Sequence, residues 1–307
     1  MEKKMTLIAK MTKVGNTDAP YLNATITDKN GKQRLGLMLV DSCCTHSNLF
    51  SDAVTGMDFR SPGYLPDNLE VFGVANGSQT MSCVPAEIEI GGNKFVTDFT
   101  VGKRNYEQSE EDTPVIGIIG VDFLLLNKLV IDYASRTVHK SSITPSNFSV
   151  EQCDYIFRME LGLKHYGMPV IPVKGTDFQH AAIIDSGADC CFISAKALEK
   201  VSDNVHLSDW MQESFGVAGR QINRLATIGF TIQGWDADHQ DCLHDYHHES
   251  LFQIVKEDCL YTTDDNPENP SIQPIDIIIG ASFLALHKWA IDFGAQLIYK
   301  RRVPLSA

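Results

Sequence analysis

Two aspartates end matching apolar stretches, Leu39-Val40-Asp41-Ser42-Cys43-Cys44 and Ala182-Ile183-Ile184-Asp185-Ser186-Gly187-Ala188-Asp189. Taken singly, each reads as a strand running into a turn, because Asp and Ser bond their own backbone there and Gly permits unusual dihedrals. As a pair they offer more. Two carboxylates about 3 Å apart cannot both ionise cheaply, so they share one proton and serve as base and acid within one turnover. The ionised partner takes a proton from a bound water, and that water attacks an amide carbonyl. The protonated partner donates to the developing oxyanion and later to the leaving amine. Such chemistry requires no metal, no cofactor and no covalent intermediate.

Each aspartate is followed by the same downstream pattern. Phe72-Gly73-Val74-Ala75 recurs as Phe215-Gly216-Val217-Ala218, 31 residues after Asp41 (72 − 41) and 30 after Asp185 (215 − 185). Further on, residues 118–133, which begin Ile118-Ile119-Gly120, align without a gap to 278–293, which begin Ile278-Ile279-Gly280, and nine of the 16 positions are identical. Two copies are too few for a solenoid. They imply two related halves facing each other across a pseudo-twofold axis, with function in the cleft between them.

Composition narrows the classes. With 307 residues and 43% apolar content, the chain can build two domains of roughly 150 residues, each with its own core. A net charge of −13 opposes phosphate backbones and anionic membranes, which argues against nucleic acid or a membrane as partner. No apolar run approaches the roughly 18 residues of a membrane span, and Met1-Glu2-Lys3-Lys4-Met5 opens no signal peptide. The expected location is cytoplasmic. Eight cysteines include the adjacent pairs Cys43-Cys44 and Cys190-Cys191, a spacing that suits neither a disulfide framework nor a zinc knuckle, so reduced thiols are expected.

The elements that must deliver the aspartates are mainly strands. Tyr21 to Thr27, a turn at Asp28-Lys29-Asn30-Gly31, and Leu35 to Val40 form a hairpin leading to Asp41. Glu87 to Ile90 and Lys94 to Val101 flank a Gly91-Gly92 turn, and Asn76-Gly77 is a strong hairpin signal. Ser51 and Ser194 are candidate caps of short helices, and a further short helix is expected after each Ile-Ile-Gly. The fold expected is all-β, with mostly antiparallel strands. The polar stretch 141–149 marks the boundary between domains 1–149 and 150–307. Between Asp and Ile-Ile-Gly the second half is 16 residues longer, and Trp235 to Glu249, rich in Asp, Gln and His, reads as a solvated loop, with zinc held by His239, Cys242, His244, His247 and His248 as the alternative. Two acidic stretches, Glu107 to Asp112 and Asp264 to Glu268, read as solvated turns, with a preference for basic substrates as the alternative.

The order apolar-apolar-Asp-Ser-Gly-Ala, a Gly-Val hairpin, Ile-Ile-Gly-x-x-Phe-Leu and Ile-Asp-aromatic resembles the retropepsin-like aspartic proteases over roughly residues 20 to 300. The resemblance implies two β-barrel lobes fused in one chain in a bilobal, pepsin-like arrangement, a monomer with an internal pseudo-dimer. It implies an aspartic endopeptidase acting on peptide or protein substrate, with Asp41 and Asp185 catalytic. Ser42 and Ser186 would brace the two loops, Cys43 and Gly187 would support them, and Gly120 and Gly280 would pass beneath. Flaps are implied near Asn76, Gly77 and Ser78, and near Gly219 and Arg220. The pattern departs at Cys43, where the family has Gly. Two other readings therefore stand beside the peptidase: a pseudoprotease that only binds peptides, and a metal-binding or thiol-based sensor.

Overall fold

The computed structural model describes residues 6–60, 66, 68–72, 78–104, 113–141, 153–158, 168–174, 179–201, 204–216, 219–236, 242–255 and 276–301. Strands β1 (Thr6–Lys10), β2 (Tyr21–Thr27), β3 (Gln33–Val40), β4 (Asn48–Phe50), β5 (Asn68–Phe72), β6 (Ser78–Ile90), β7 (Asn93–Gly102) and β8 (Val115–Ile119) precede helix α1 (Val121–Leu126). Strands β9 (Leu129–Asp132) and β10 (Thr137–Lys140) follow it. The second half begins with β11 (Cys153–Arg158), β12 (Val170–Lys174), β13 (Gln179–Asp185) and β14 (Cys191–Ser194), then helix α2 (Ala195–Val201). It continues with β15 (Asn204–Gly216), β16 (Gly219–Asp236), β17 (Leu243–Val255), β18 (Ile277–Gly280), helix α3 (Ala281–Leu286), β19 (Trp289–Asp292) and β20 (Leu297–Arg301). The fold is all-β.

The pairing repeats with the sequence. In the first half β2-β3-β8-β4-β7-β6 closes into a ring through the β2–β6 pairing, and β5 lies outside on β6. In the second half β12-β13-β18-β14-β17-β16 closes in the same order, with β15 outside on β16. Closure leaves the ring strands no open edge. Most pairs are antiparallel, but β3–β8, β4–β7, β13–β18 and β14–β17 are parallel.

A third strip, β1-β10-β9-β19-β20-β11, takes strands from both halves. At its centre Ile131 pairs with Ile291, flanked by Val130 with Asp292 and Asp132 with Ala290. Ile131 and Ile291 are the same position of the repeat, so the strip is locally twofold about that pair. Ile131, Ile291 and Trp289 are fully buried in one apolar cluster that draws on both halves. Backbone detail repeats too, since Lys128 and Lys288, each just past its helix, hold the left-handed φ values 52° and 57°.

The hairpin before Asp41 forms as the alternation predicts, and Gly91 and Gly92 take φ values of 55° and 79° in the turn between β6 and β7. Ser194 caps α2 by accepting the Ala197 N–H at 3.0 Å. Two expectations need correction. No helix follows Ser51: the Phe50 carbonyl accepts from Ala53 and Val54, giving one turn, and Gly56 at φ 73° redirects the chain. The described residues of Trp235 to Glu249, 235–236 and 242–249, are strand rather than loop, because β16 and β17 pair as one ladder from Arg224–Ile254 to Trp235–Leu243. Its inward residues Tyr246 and His248 pack on Phe157 and on Phe283, at centroid distances of 6.2 and 5.2 Å, and the polar composition belongs to the other face. The domain boundary and both acidic stretches lie outside the described residues.

Candidate active site

Strand β3 runs parallel to β8 and β13 parallel to β18, so Val40 sits beside Ile119 and Asp185 beside Gly280. Each aspartate thus emerges where a buried strand ends. Asp41 N–H still bonds Ile119 O at 2.9 Å, and the chain then turns around the carboxylate. Asp41 Oδ1 accepts the N–H groups of Cys43 and Cys44 at 2.7 and 3.0 Å. Asp185 Oδ1 accepts those of Gly187 and Ala188 at 2.9 and 3.0 Å. A backbone donor survives any substitution except proline, so Cys43 performs this role as Gly187 does.

The two loops are tied together. Ser42 N–H donates to Ser186 Oγ at 2.9 Å and Ser186 N–H to Ser42 Oγ at 2.8 Å. The hydroxyls continue outward, Ser42 Oγ to Ile184 O at 2.6 Å and Ser186 Oγ to Val40 O at 2.8 Å. Both serines are fully buried. Removing one hydroxyl takes the partner from a buried N–H and a bond from a buried carbonyl, each loss costing about 1–3 kcal/mol. Ser42→Ala and Ser186→Ala are each expected to lower the unfolding free energy by about 2–4 kcal/mol in urea. The double variant is expected to lose less than the sum, because the four bonds form one network. Additive losses would mean the network is not shared.

Beneath each loop a glycine is required by close approach. A Cβ on Gly120 would lie 2.4 Å from Cys44 O, and one on Gly280 2.3 Å from Cys190 O. The next residues fasten the loops from below, Val121 N–H to Cys44 O at 2.8 Å and Ala281 N–H to Ala188 O at 2.7 Å. Six positions after each aspartate, Ser47 Oγ and Cys191 Sγ accept the Gly120 and Gly280 N–H groups at 3.0 and 3.4 Å.

A carboxylate oxygen of Asp41, one of Asp185 and Sγ of Cys43 all lie within 4.8 Å of one another. Asp185 is buried and Asp41 half-buried. Burial pushes both carboxyls up from the ordinary value. For Asp185 the negative charge of Asp41 adds to burial and holds it well above that value. Both shifts favour keeping a proton on the pair rather than two charges side by side. Burial first, then the charges of Asp185 and Asp41, hold the Cys43 thiol neutral. Its Sγ lies 3.6 Å from Ile184 O and packs against Met168, Val170, Ala181 and Ile183. Cys44 Sγ turns away to His46 O at 3.0 Å, so no side chain at the third position after either aspartate donates to its carboxylate.

Of the expected flap residues, Asn76 and Gly77 lie outside the described residues. Ser78 opens β6 opposite Phe72, while Gly219 and Arg220 open β16 opposite Gly216 and Phe215. One tie escaped sequence reasoning: Thr17 Oγ1 and Asp18 N–H donate to Asp189 Oδ1 at 2.6 and 3.1 Å, and Asp18 pairs with Arg136 at 3.3 Å. The available signal was a carboxylate four positions after Asp185 where the first copy has Thr45. No described helix is long and apolar enough to cross a membrane. No protein-family model and no curated protein matches this chain.

Proposed function

We propose that this chain is an aspartic endopeptidase, built as two retropepsin-like lobes in a pepsin-like arrangement and acting as a monomer. The observation that carries the reading is the convergence of Asp41 and Asp185, 144 residues apart (185 − 41), on loops locked by reciprocal serine bonds. The ionised carboxylate of the pair takes a proton from water as that water attacks the scissile carbonyl. The protonated partner donates to the carbonyl oxygen, and the amine leaves with the proton returned from the dyad. Backbone N–H groups at both carboxylates keep them aimed while the proton moves. Free thiols at Cys43, Cys44, Cys190 and Cys191 suit a reducing, cytoplasmic setting. The test is incubation with a diverse peptide library, comparing wild type with Asp185→Asn; cleavage by both, or by neither, refutes the reading.

One observation favours a second reading, a peptide-binding pseudoprotease. Cys43 puts a side chain beside Asp185, whereas its counterpart Gly187 leaves the Asp41 carboxylate bare. Tight binding of a statine-type transition-state analogue accompanied by cleavage supports the enzyme, and peptide binding without cleavage supports the alternative.

The raised carboxyls set the pH response. Activity needs one proton on the pair, and both limbs of a bell-shaped profile move up when burial raises both groups. With Cys44 and Ala188 rather than a hydroxyl at the third position after each aspartate, the optimum is expected in the mildly acidic to neutral range. Peptidase assays from about pH 3 to 8 check this, and an optimum below about pH 4 contradicts it.

A further inference from the structure

We propose that the floor of the cleft also binds one soft divalent cation, Zn²⁺ or Cd²⁺, through a carboxylate oxygen of Asp41, one of Asp185, and Sγ of Cys43. Among the described residues these are the one set of three His, Cys, Asp or Glu side chains whose ligand atoms converge, all within 4.8 Å. The ligand atoms come from both halves on loops that the Ser42–Ser186 bonds hold rigid, so little ordering remains to be done on binding. Each carboxylate has Oδ1 oriented by two backbone N–H groups, the outer contact that metal-ligating carboxylates ordinarily have. A thiolate selects Zn²⁺ or Cd²⁺ over Mg²⁺ or Ca²⁺, and three protein ligands leave a fourth position for water.

The repeat isolates the ligand that makes the difference. Gly187 fills the equivalent position and serves its carboxylate through the backbone alone, so the sulfur at Cys43 is surplus to holding the pair. Binding displaces the thiol proton and the proton shared by the carboxyls to solvent, and the cation keeps its charge throughout. Since the same carboxylate oxygens would hold the attacking water, the loaded chain is inactive as a peptidase; this consequence alone rests on the proposed function.

The experiment is titration of the full chain with CdCl₂ in the absence of substrate, following the ultraviolet thiolate-to-cadmium charge-transfer band. One Cd²⁺ per chain is expected, displaced by Zn²⁺. The band should vanish in Cys43→Gly and in the size-matched Cys43→Ser, and affinity should fall at least tenfold in Asp185→Asn. Cys242→Ser, which alters an exposed thiol, should leave the titration unchanged. Absence of the band in wild type, its persistence in both Cys43 variants with native circular dichroism, or unchanged affinity in Asp185→Asn overturns the proposal. Stoichiometric cadmium binding by a chain that cleaves no peptide refutes the peptidase reading and leaves the site standing. Cleavage without cadmium binding does the reverse.

Discussion

Asp185→Asn is expected to lower kcat/KM by on the order of 10⁴-fold while making the protein more stable at neutral pH. Loss of turnover follows because an amide neither stores nor returns the shared proton. Asp41→Asn should cost as much, and the double variant little more, since the two groups act as one unit. The stability gain has a separate cause. Burial raises both carboxyls above the value of 3.8 that an unfolded chain gives them, so the folded state is favoured by protonation. That contribution is fully present below about pH 3.8 and is lost as pH rises through the raised folded values. With asparagine at 185 the pair can bury at most one charge where the wild type is driven towards two as pH rises, and the Oδ1 still accepts the Gly187 and Ala188 N–H groups. Thermal unfolding should therefore show Tm of Asp185→Asn above wild type at pH 7 and the difference shrinking towards pH 4. An inactive variant with lower Tm at pH 7 would point to a broken fold instead, and near-normal turnover would place the chemistry elsewhere.

Much of the centre was legible because the repeat presents each loop twice. Asp41 with Asp185, Ser42 with Ser186 and Gly120 with Gly280 occupy matched positions, and matching is visible in one dimension. Ring closure was not, because the β2–β6 and β16–β17 pairings join strands whose alternation says only that one face is buried. The Ile131–Ile291 register is likewise a contact between halves that no local pattern encodes. The misreading of Trp235 to Glu249 has a local cause. Exposed residues outnumber buried ones there, and the two inward side chains, Tyr246 and His248, are polar types that read as solvated. His248 enters an aromatic setting with Phe230, Phe283 and Trp289, where burial pushes its pKa down to about 3 and keeps it neutral. Composition averages over such a face, whereas packing selects it. Ser51 failed in the opposite way, supplying a cap signal although Gly56, five residues on, takes φ 73° and stops the turn.

Gly187→Ala and Cys43→Gly change equivalent positions of the two loops and are expected to have unequal effects. A Cβ at Gly187 would lie 2.4 Å from Cγ and 2.5 Å from Oδ2 of Asp41, well inside contact distance. The carboxylate cannot simply rotate away, because its Oδ1 is held by the Cys43 and Cys44 N–H groups at 2.7 and 3.0 Å. Displacing it sacrifices hydrogen bonds to a charged group, worth about 1.5–3 kcal/mol each, and moves one member of the pair by on the order of 1 Å. A shift of that size is expected to lower kcat by about 10²-fold, with KM little changed, since the dyad acts on the transition state more than on the bound peptide. Cys43→Gly instead removes a sulfur from beside Asp185 and keeps the N–H that its partner carboxylate needs, so kcat should stay within about tenfold of wild type. Steady-state kinetics on the two variants read this difference directly. Full activity in Gly187→Ala would mean that the Asp41 carboxylate is not held where the loop places it.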